Sequence, residues 1–433
     1  MDLVMDRLRS AATVAFAAND REIAARAIAD TLAVAAAGYC MPSVRRVSEH
    51  HAVLASPLAV SWDGIGRRSV DDAVFVNSMA AHALDFDDVD IYSSAHLSCI
   101  VVPVLLAENM PQDEEALLDA ILTATVAAGM LADWLGPDHY RRGWHATSTI
   151  GTIAATVSLA RYRRLSPRHL TNAVAIAASQ MSGLQGNFGS DAKAMHAGFA
   201  ALAARRAVDM AALGLTGNPE ILTSESFCNN YGPTEEGLAA IAPPSLADRQ
   251  LTKFYPCCFA IHRGIAAVLE ARRIMGDAIV NDDVRFILTF PAASHVVLLS
   301  DMPVNGTQAA FSAPYCCAAA LRDGTLDIGH LTKGFGEPRL FDLARRFNVS
   351  ANETSSGTRL HDGYVTLDVT SAGGKSLSIV QDIMPGSAAD PTFNTAFRAK
   401  TTNCLLRYAE TFDRDFPALA QADLHPRIRA YLL

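Results

Sequence analysis

The 433-residue sequence has eight cysteines but no Cys-x-x-Cys spacing, and two of its cysteine pairs (Cys257-Cys258 and Cys316-Cys317) are adjacent. This excludes a zinc ribbon and a thioredoxin-type redox motif. It does not read as a disulfide framework either, so reduced thiols and a cytoplasmic setting are expected. There is no block of Lys or Arg, and the net charge is −9, which argues against nucleic acid as a partner. No apolar run is long and uninterrupted; the longest are alanine-rich and broken by polar residues, so no membrane span is expected. The opening Met1-Asp-Leu-Val-Met-Asp-Arg7 is charged where a secretory signal would be apolar. No fixed period recurs, which excludes a repeat array. What the chain does have is apolar mass: half its residues are hydrophobic and only 19% are charged. That is enough for a large core and, at this length, for two domains.

The periodicity divides the chain by texture. Residues 3–40 read as two helices separated at Asn19-Asp20-Arg21, followed by a loop carrying Pro42 and a strand-like Ala59-Val-Ser-Trp62. Helical spacing continues over 70–83, 103–108, 114–135, 145–164, 167–183 and from about 191. Near residue 250 the pattern changes. A helix over 259–275 precedes the alternating Val284-Arg-Phe-Ile-Leu-Thr-Phe290, a strand signature, and a second helix spans 309–321. Segments 364–370 and 375–380 flank Gly373-Gly374 as a hairpin. The tail returns to helix. The expected fold is therefore mainly α: a large all-helical domain (1–250 plus 391–433) with an inserted smaller α+β lid domain (251–390). A cleft between the two would be the natural ligand site.

Five clusters carry chemistry. His82-Ala-Leu-Asp85-Phe-Asp-Asp88, followed by His96, sets three carboxylates in four residues, able to bind a divalent cation, orient a histidine or cap a helix. Arg141-Arg-Gly-Trp-His145 is a glycine-bearing loop entering a helix, where an anion can be received or the imidazole can cap its own helix. Lys193 and His196 lie three apart near the head of a helix that Ser190 or Asp191 can cap, followed by a run rich in Ala and Gly. By themselves they read as a snorkelling lysine and a core histidine. Lys253-Phe-Tyr-Pro-Cys-Cys258-Phe-Ala-Ile-His262 has thiols and an imidazole, but no second pair to complete a zinc site. Tyr315 stands at a helix start, where an aromatic is ordinarily core, and the adjacent cysteines read as small buried hydrophobes.

In this order, His82-x-Leu-Asp-Phe-Asp-Asp88, Lys193-x-x-His196-x-Gly198, Lys253-x-Tyr-Pro256 and Ala310-Phe-Ser-x-x-Tyr315 resemble the MmgE/PrpD family, over essentially the whole chain. That family includes 2-methylcitrate dehydratase, cis-aconitate decarboxylase and iminodisuccinate epimerase. The resemblance implies a helical domain with a lid, usually a homodimer. It further implies a site without organic cofactor that takes small di- or tricarboxylates; no metal is expected. Carried over by position, it puts His96, Lys193 and Tyr315 in the catalytic group, with His145 and Asp85 beside them, and it places Lys253, Cys258 and His262 against the substrate. One position departs: decarboxylase-like members carry histidine where this chain has Cys258, and a thiol is a poor substitute for an imidazole acid or base.

The reactions of such a family share one difficulty, a carbanion or enolate beside a carboxylate, which requires positive charge at the carboxylate and a base at the α-carbon. The expected assignment makes His96, oriented by Asp85, the general base. Lys193 is base or counter-ion, and Tyr315 or His145 is the proton donor. A hydro-lyase is the first reading; an epimerase or decarboxylase of the same family is the alternative. A metal-dependent lyase resting on the Asp85–Asp88 loop and a non-catalytic scaffold are the competing classes.

Overall fold

A computed structural model describes residues 3–52, 59–64, 67–108, 113–232, 245–295, 297–299, 301–352, 362–374, 376–420 and 425–432. The chain is mainly helical and divides into two compact units. The first comprises 1–83, 87–252 and 394–433; the second comprises 84–86 and 253–393.

The first unit opens with α1 (Leu3–Ala11), α2 (Ala18–Tyr39), α3 (Pro42–Ala52) and α4 (Val70–His82), with the two-residue strands β1 (Ala59–Val60) and β2 (Arg67–Arg68) paired between the last two. Two boundaries differ from the sequence reading. Asn19-Asp20-Arg21 does not separate the helices. It forms the first turn of α2, because the Asp20 carboxylate accepts the backbone N–H of Ala17 and closes the helix start. Pro42 likewise begins a helix rather than a loop, at the first position, where its missing N–H costs nothing. Strand β3 (Val89–Asp90) leads into α5 (Ser98–Leu106), α6 (Glu114–Arg141), α7 (Ala146–Tyr162), α8 (Pro167–Ala178), α9 (Asp191–Ala212) and α10 (Glu225–Tyr231). Helix α5 starts five residues before Pro103, which sits inside it. The one-turn α11 (Leu246–Arg249) then precedes β4 (Gln250–Leu251), antiparallel to β3.

Small side chains set this packing. Helix α7 is buried along nearly its whole length, and its Thr152 and Thr156 hydroxyls satisfy themselves on the carbonyls of Ser148 and Thr152. Helix α9 packs on α4, α7 and α8 through an alanine-lined face. Glycine permits the closest approach: a Cβ at Gly38 of α2 would lie 1.9 Å from the Ala80 carbonyl oxygen of α4. Glu114–Gly136 of α6 has the length and apolarity of a membrane span (mean hydropathy 1.5), and 72% of that window is buried within the fold. The bent pair of α2 with the first ten residues of α3 passes the same test of composition.

In the second unit, α12 (His262–Met275) leads to β5 (Arg285–Pro291), the short α13 (Ala292–His295) and α14 (Gly306–Ala309), α15 (Ala313–Asp323) and α16 (Pro338–Ala344). Strands β6 (Phe347–Asn352), β7 (Val365–Thr370) and β8 (Ser376–Gln381) join β5 in one sheet of order β6-β5-β7-β8. The β7–β8 pair is the expected antiparallel hairpin, its turn passing through Gly374 at φ 78°; Lys375 lies outside the described residues. Strand β5 alternates exposed and buried as its sequence does. Strand β6 is parallel to β5 and has no strand signature in its sequence, because Asn, Ser and Ala interrupt it. The chain ends in α17 (Phe393–Phe412) and α18 (Pro426–Leu432).

Ala80 lies two residues before His82, in the last turn of α4. Gly38→Ala is expected to destabilise the protein by about 3 kcal/mol or more, since overlap with a backbone oxygen forces whole helices apart. The midpoint of urea denaturation measures it; an unchanged midpoint refutes the close-approach account.

Candidate active site

The two chain crossings at 83–87 leave His82 and Asp87 on either side of a three-residue excursion, both in the first unit and both buried. The Asp87 carboxylate lies 2.9 Å and 3.1 Å from His82 Nδ1 and 3.2 Å from His96 Nδ1. An ionised carboxylate only accepts, so both imidazoles present Nδ1–H to it and carry their lone pairs on Nε2. Lys193, in the first turn of α9, places Nζ 3.0 Å from His82 Nε2 and 5.6 Å from the centre of the Phe188 ring. The His96 backbone N–H donates to Thr147 Oγ1 at 3.1 Å, tying the loop to α7.

A second histidine pair adjoins the first. His145, at the head of α7, stacks 5.7 Å from His82, and its Nδ1 lies 3.0 Å from His196 Nδ1. One of these two nitrogens donates and the other accepts. Gly183 holds this corner: it has φ +104°, its carbonyl receives the His145 N–H, and a Cβ there would meet Ser148 Cβ at 2.8 Å. Ser190 takes the N-cap position of α9 but turns its hydroxyl to the Asn187 carbonyl, so it does not cap the helix.

The electrostatics follow from burial. Burial opposes charge on Asp87, yet the two adjoining imidazoles outweigh it and hold the carboxyl well below the ordinary range. His82 is pushed down to about 4, chiefly by burial, with Lys193 adding to the drop against the pull of Asp87. Burial and then Lys193 keep His145 well below its usual value and lower His196 as well. The group therefore combines a charged Asp87 and neutral His82 and His145 around Lys193.

Asp88 behaves oppositely. Burial, reinforced by Asp30, raises it to about 7, while Ser98 Oγ (2.8 Å) and the Gln250 amide donate to its Oδ2. Asp90 is held by Arg249 and by Ser93 Oγ at 2.7 Å. The three acids of the motif after Leu84 thus have separate tasks. In the second unit Asp85, at φ +48°, accepts the fully buried Lys253 ammonium on Oδ1 at 2.9 Å and on its carbonyl at 2.8 Å. The carboxylate that His96 Nδ1 faces is that of Asp87, a residue that adjacency alone did not distinguish from its neighbours.

The remaining expected residues lie in the second unit. His262 is pushed to about 3 by burial and by Lys253, and Cys258 up to about 12 by burial and Asp85, so both are neutral. Tyr315 is buried among Phe335 and Phe341, and its hydroxyl donates to the His330 carbonyl at 2.9 Å. Burial raises that phenol to about 12. All eight cysteines are free thiols, and Cys257, Cys258, Cys316 and Cys317 are buried. Sequence reasoning left His82, Asp87 and His196 out of the catalytic set although the quoted motifs contain all three.

His82, Asp87 and His96 offer ligand atoms within 4.8 Å of one another. As a cation site the arrangement fits poorly: both Nδ1 atoms are committed to Asp87, and His82 Nε2 faces an ammonium that a metal would have to displace.

Residues 11–231 match the model of the MmgE/PrpD N-terminal domain, and residues 255–421 that of the MmgE/PrpD C-terminal domain. The chain belongs to the MmgE/PrpD family. Among its relatives is a human cis-aconitate decarboxylase, 30% identical over 274 residues that cover 59% of this chain and 56% of the human protein. A mouse cis-aconitate decarboxylase is 27% identical over 360 residues, covering 77% and 72%; one from Aspergillus terreus is 23% identical over 328 residues, covering 68% and 67%. The chain is thus matched along little more than half of the human relative's length.

Within this family member, Asp88 offers a direct check on the buried loop. An acid raised by folding binds its proton more tightly in the native state, so it costs stability as pH climbs from the unfolded value near 4 towards 7. Asp88→Asn does not titrate. Its stability relative to wild type should improve by about 1.4 kcal/mol per pH unit, roughly 2–3 kcal/mol between pH 5 and 7. Chemical denaturation at the two pH values measures this; a pH-independent difference contradicts the placement.

Proposed function

We propose that this protein is a cofactor-independent lyase that acts on a small di- or tricarboxylate through its α-proton, most simply as a hydro-lyase of the 2-methylcitrate dehydratase type. The observation that carries the reading is the buried relay in which Asp87 faces Nδ1 of both His82 and His96 while Lys193 lies against His82 Nε2. An imidazole with its Nδ1–H on a carboxylate is oriented and made more basic at Nε2, which suits His96 to remove the α-proton. Lys193 and the uncapped first turn of α9 supply the positive field that a substrate carboxylate and its enolate need. As the Cα–H electrons form the double bond, the β-hydroxyl leaves with a proton from the Lys193 ammonium as water. The proton taken by His96 then returns to Lys193 through solvent. Tyr315 is left out of this scheme because its hydroxyl is engaged by the His330 carbonyl.

Decarboxylation is the second reading, supported by the names of the relatives. Loss of carbon dioxide also leaves a carbanion, but the imidazole must then begin protonated in order to return a proton to carbon. The neutral Cys258 thiol adds no acid to that scheme. The two reactions need opposite forms of His96: dehydration starts from its neutral imidazole and decarboxylation from its imidazolium. A homodimer, as the family resemblance implies, is part of this proposal and is checked by light scattering.

Proton NMR of a panel of di- and tricarboxylic acids in deuterated water tests the reading, since water loss, carbon dioxide release and α-deuteration separate the lyases from an epimerase. Lys193→Ala and His96→Gln should each lower turnover by about 10²–10³-fold or more with the circular dichroism spectrum unchanged, and activity should survive a chelator. Near-wild-type turnover in Lys193→Ala refutes the assignment.

A further inference from the structure

Beneath the histidine group lies a charge pair that the scheme above does not use. Asp30 in the middle of α2 and Lys400 in α17 are both buried, and the ammonium lies 2.5 Å from Asp30 Oδ1. Helix α2 packs on α4, which ends in His82, and on α5, which follows His96. Asp30 faces one cation, Lys400, and the carboxyl of Asp87, while the backbone of Asp88 helps to hold its charge; in turn Asp30 raises the carboxyl of Asp88. Asp88 Oδ1 is buried without a hydrogen-bond partner. A buried ion pair is weak evidence for stability, because hydrophobic residues of similar volume usually serve as well. Three acids crowded beneath two histidines need another explanation.

We propose that Lys400 and Asp30 form a positioning pair for the Asp87-centred histidines. Lys400 neutralises Asp30, so that the loop carrying Asp87 and Asp88 can close over α2 without meeting an uncompensated carboxylate. The pair fixes where Asp87 stands, and through it the direction of the His82 and His96 rings. Within the same unit His82 is also faced by Lys193 from α9 and by His145 from the head of α7, which in turn meets His196, while Cys99 from α5 faces Asp87. The residues of α17 therefore act on the site through Asp30 and the loop rather than by touching a substrate. The catalytic part of this inference rests on the function proposed above.

The decisive variant is Asp30→Asn/Lys400→Met, which removes both charges and leaves neither partner orphaned, with Lys400→Arg as the conservative control. Imidazole signals of His82 and His96 are followed in ¹⁵N-histidine-labelled protein, assigned through His82→Gln and His96→Gln. Turnover is read at a temperature at which thermal unfolding curves show every variant folded. The double variant should shift both imidazole signals and lower kcat by about tenfold or more, with KM within about twofold, as expected for misplaced catalytic groups. Lys400→Arg should keep both. A folded double variant with wild-type imidazole signals and kcat overturns the proposal, because a purely structural pair would move only the melting temperature. If wild-type protein turns over no carboxylic acid, the function proposed above fails, while the imidazole signals still decide the positioning role.

Discussion

The site depends on one buried carboxylate. Asp87 is closed off from water, and its charge survives only because two imidazoles present N–H groups to it. That single requirement fixes the tautomers of His82 and His96, turns a lone pair of His82 towards Lys193, and orders the rest of the histidine group around it. Remove the carboxylate and each neighbour loses the partner that orients it.

The scaffold serves this arrangement by bringing backbones together. Helices α2, α4, α7 and α9 approach through Gly, Ala, Ser and Thr, so the ends of α4 and α9 and the head of α7 bring four titratable side chains together, His82, Lys193, His196 and His145. Low polarity then does what water would prevent: His82 and His145 stay neutral beside an ammonium, and Asp88 keeps a proton near neutral pH where Asp87 does not. Two adjacent aspartates differ because one faces imidazoles and the other faces another acid.

The second unit holds its own buried charges in a different manner. Lys253 is satisfied by the side chain and the carbonyl of Asp85, a residue that the excursion 84–86 contributes to that unit. Tyr315 and the four paired-cysteine thiols belong to its apolar interior, where burial keeps Tyr315 and three of those thiols, Cys257, Cys258 and Cys317, protonated. These are neutral groups, in contrast to the charged relay of the first unit.

By itself the sequence determined the mainly helical character, the change of texture near residue 250, the β7–β8 hairpin and the family. Those features are written in local periodicity, in turn glycines and in four motifs with fixed spacing. It also marked Lys193, His96 and His145 as chemically unusual positions. Tertiary structure alone decided the rest. Strand β6 forms because β5 offers it a parallel edge, and α3 starts at Pro42 because a first turn tolerates proline. The choice of Asp87 over Asp85 as the partner of His96, and of Lys400 for Asp30, depends on residues brought together from distances of up to 370 positions. No periodicity encodes that; only the packing of helices against one another does.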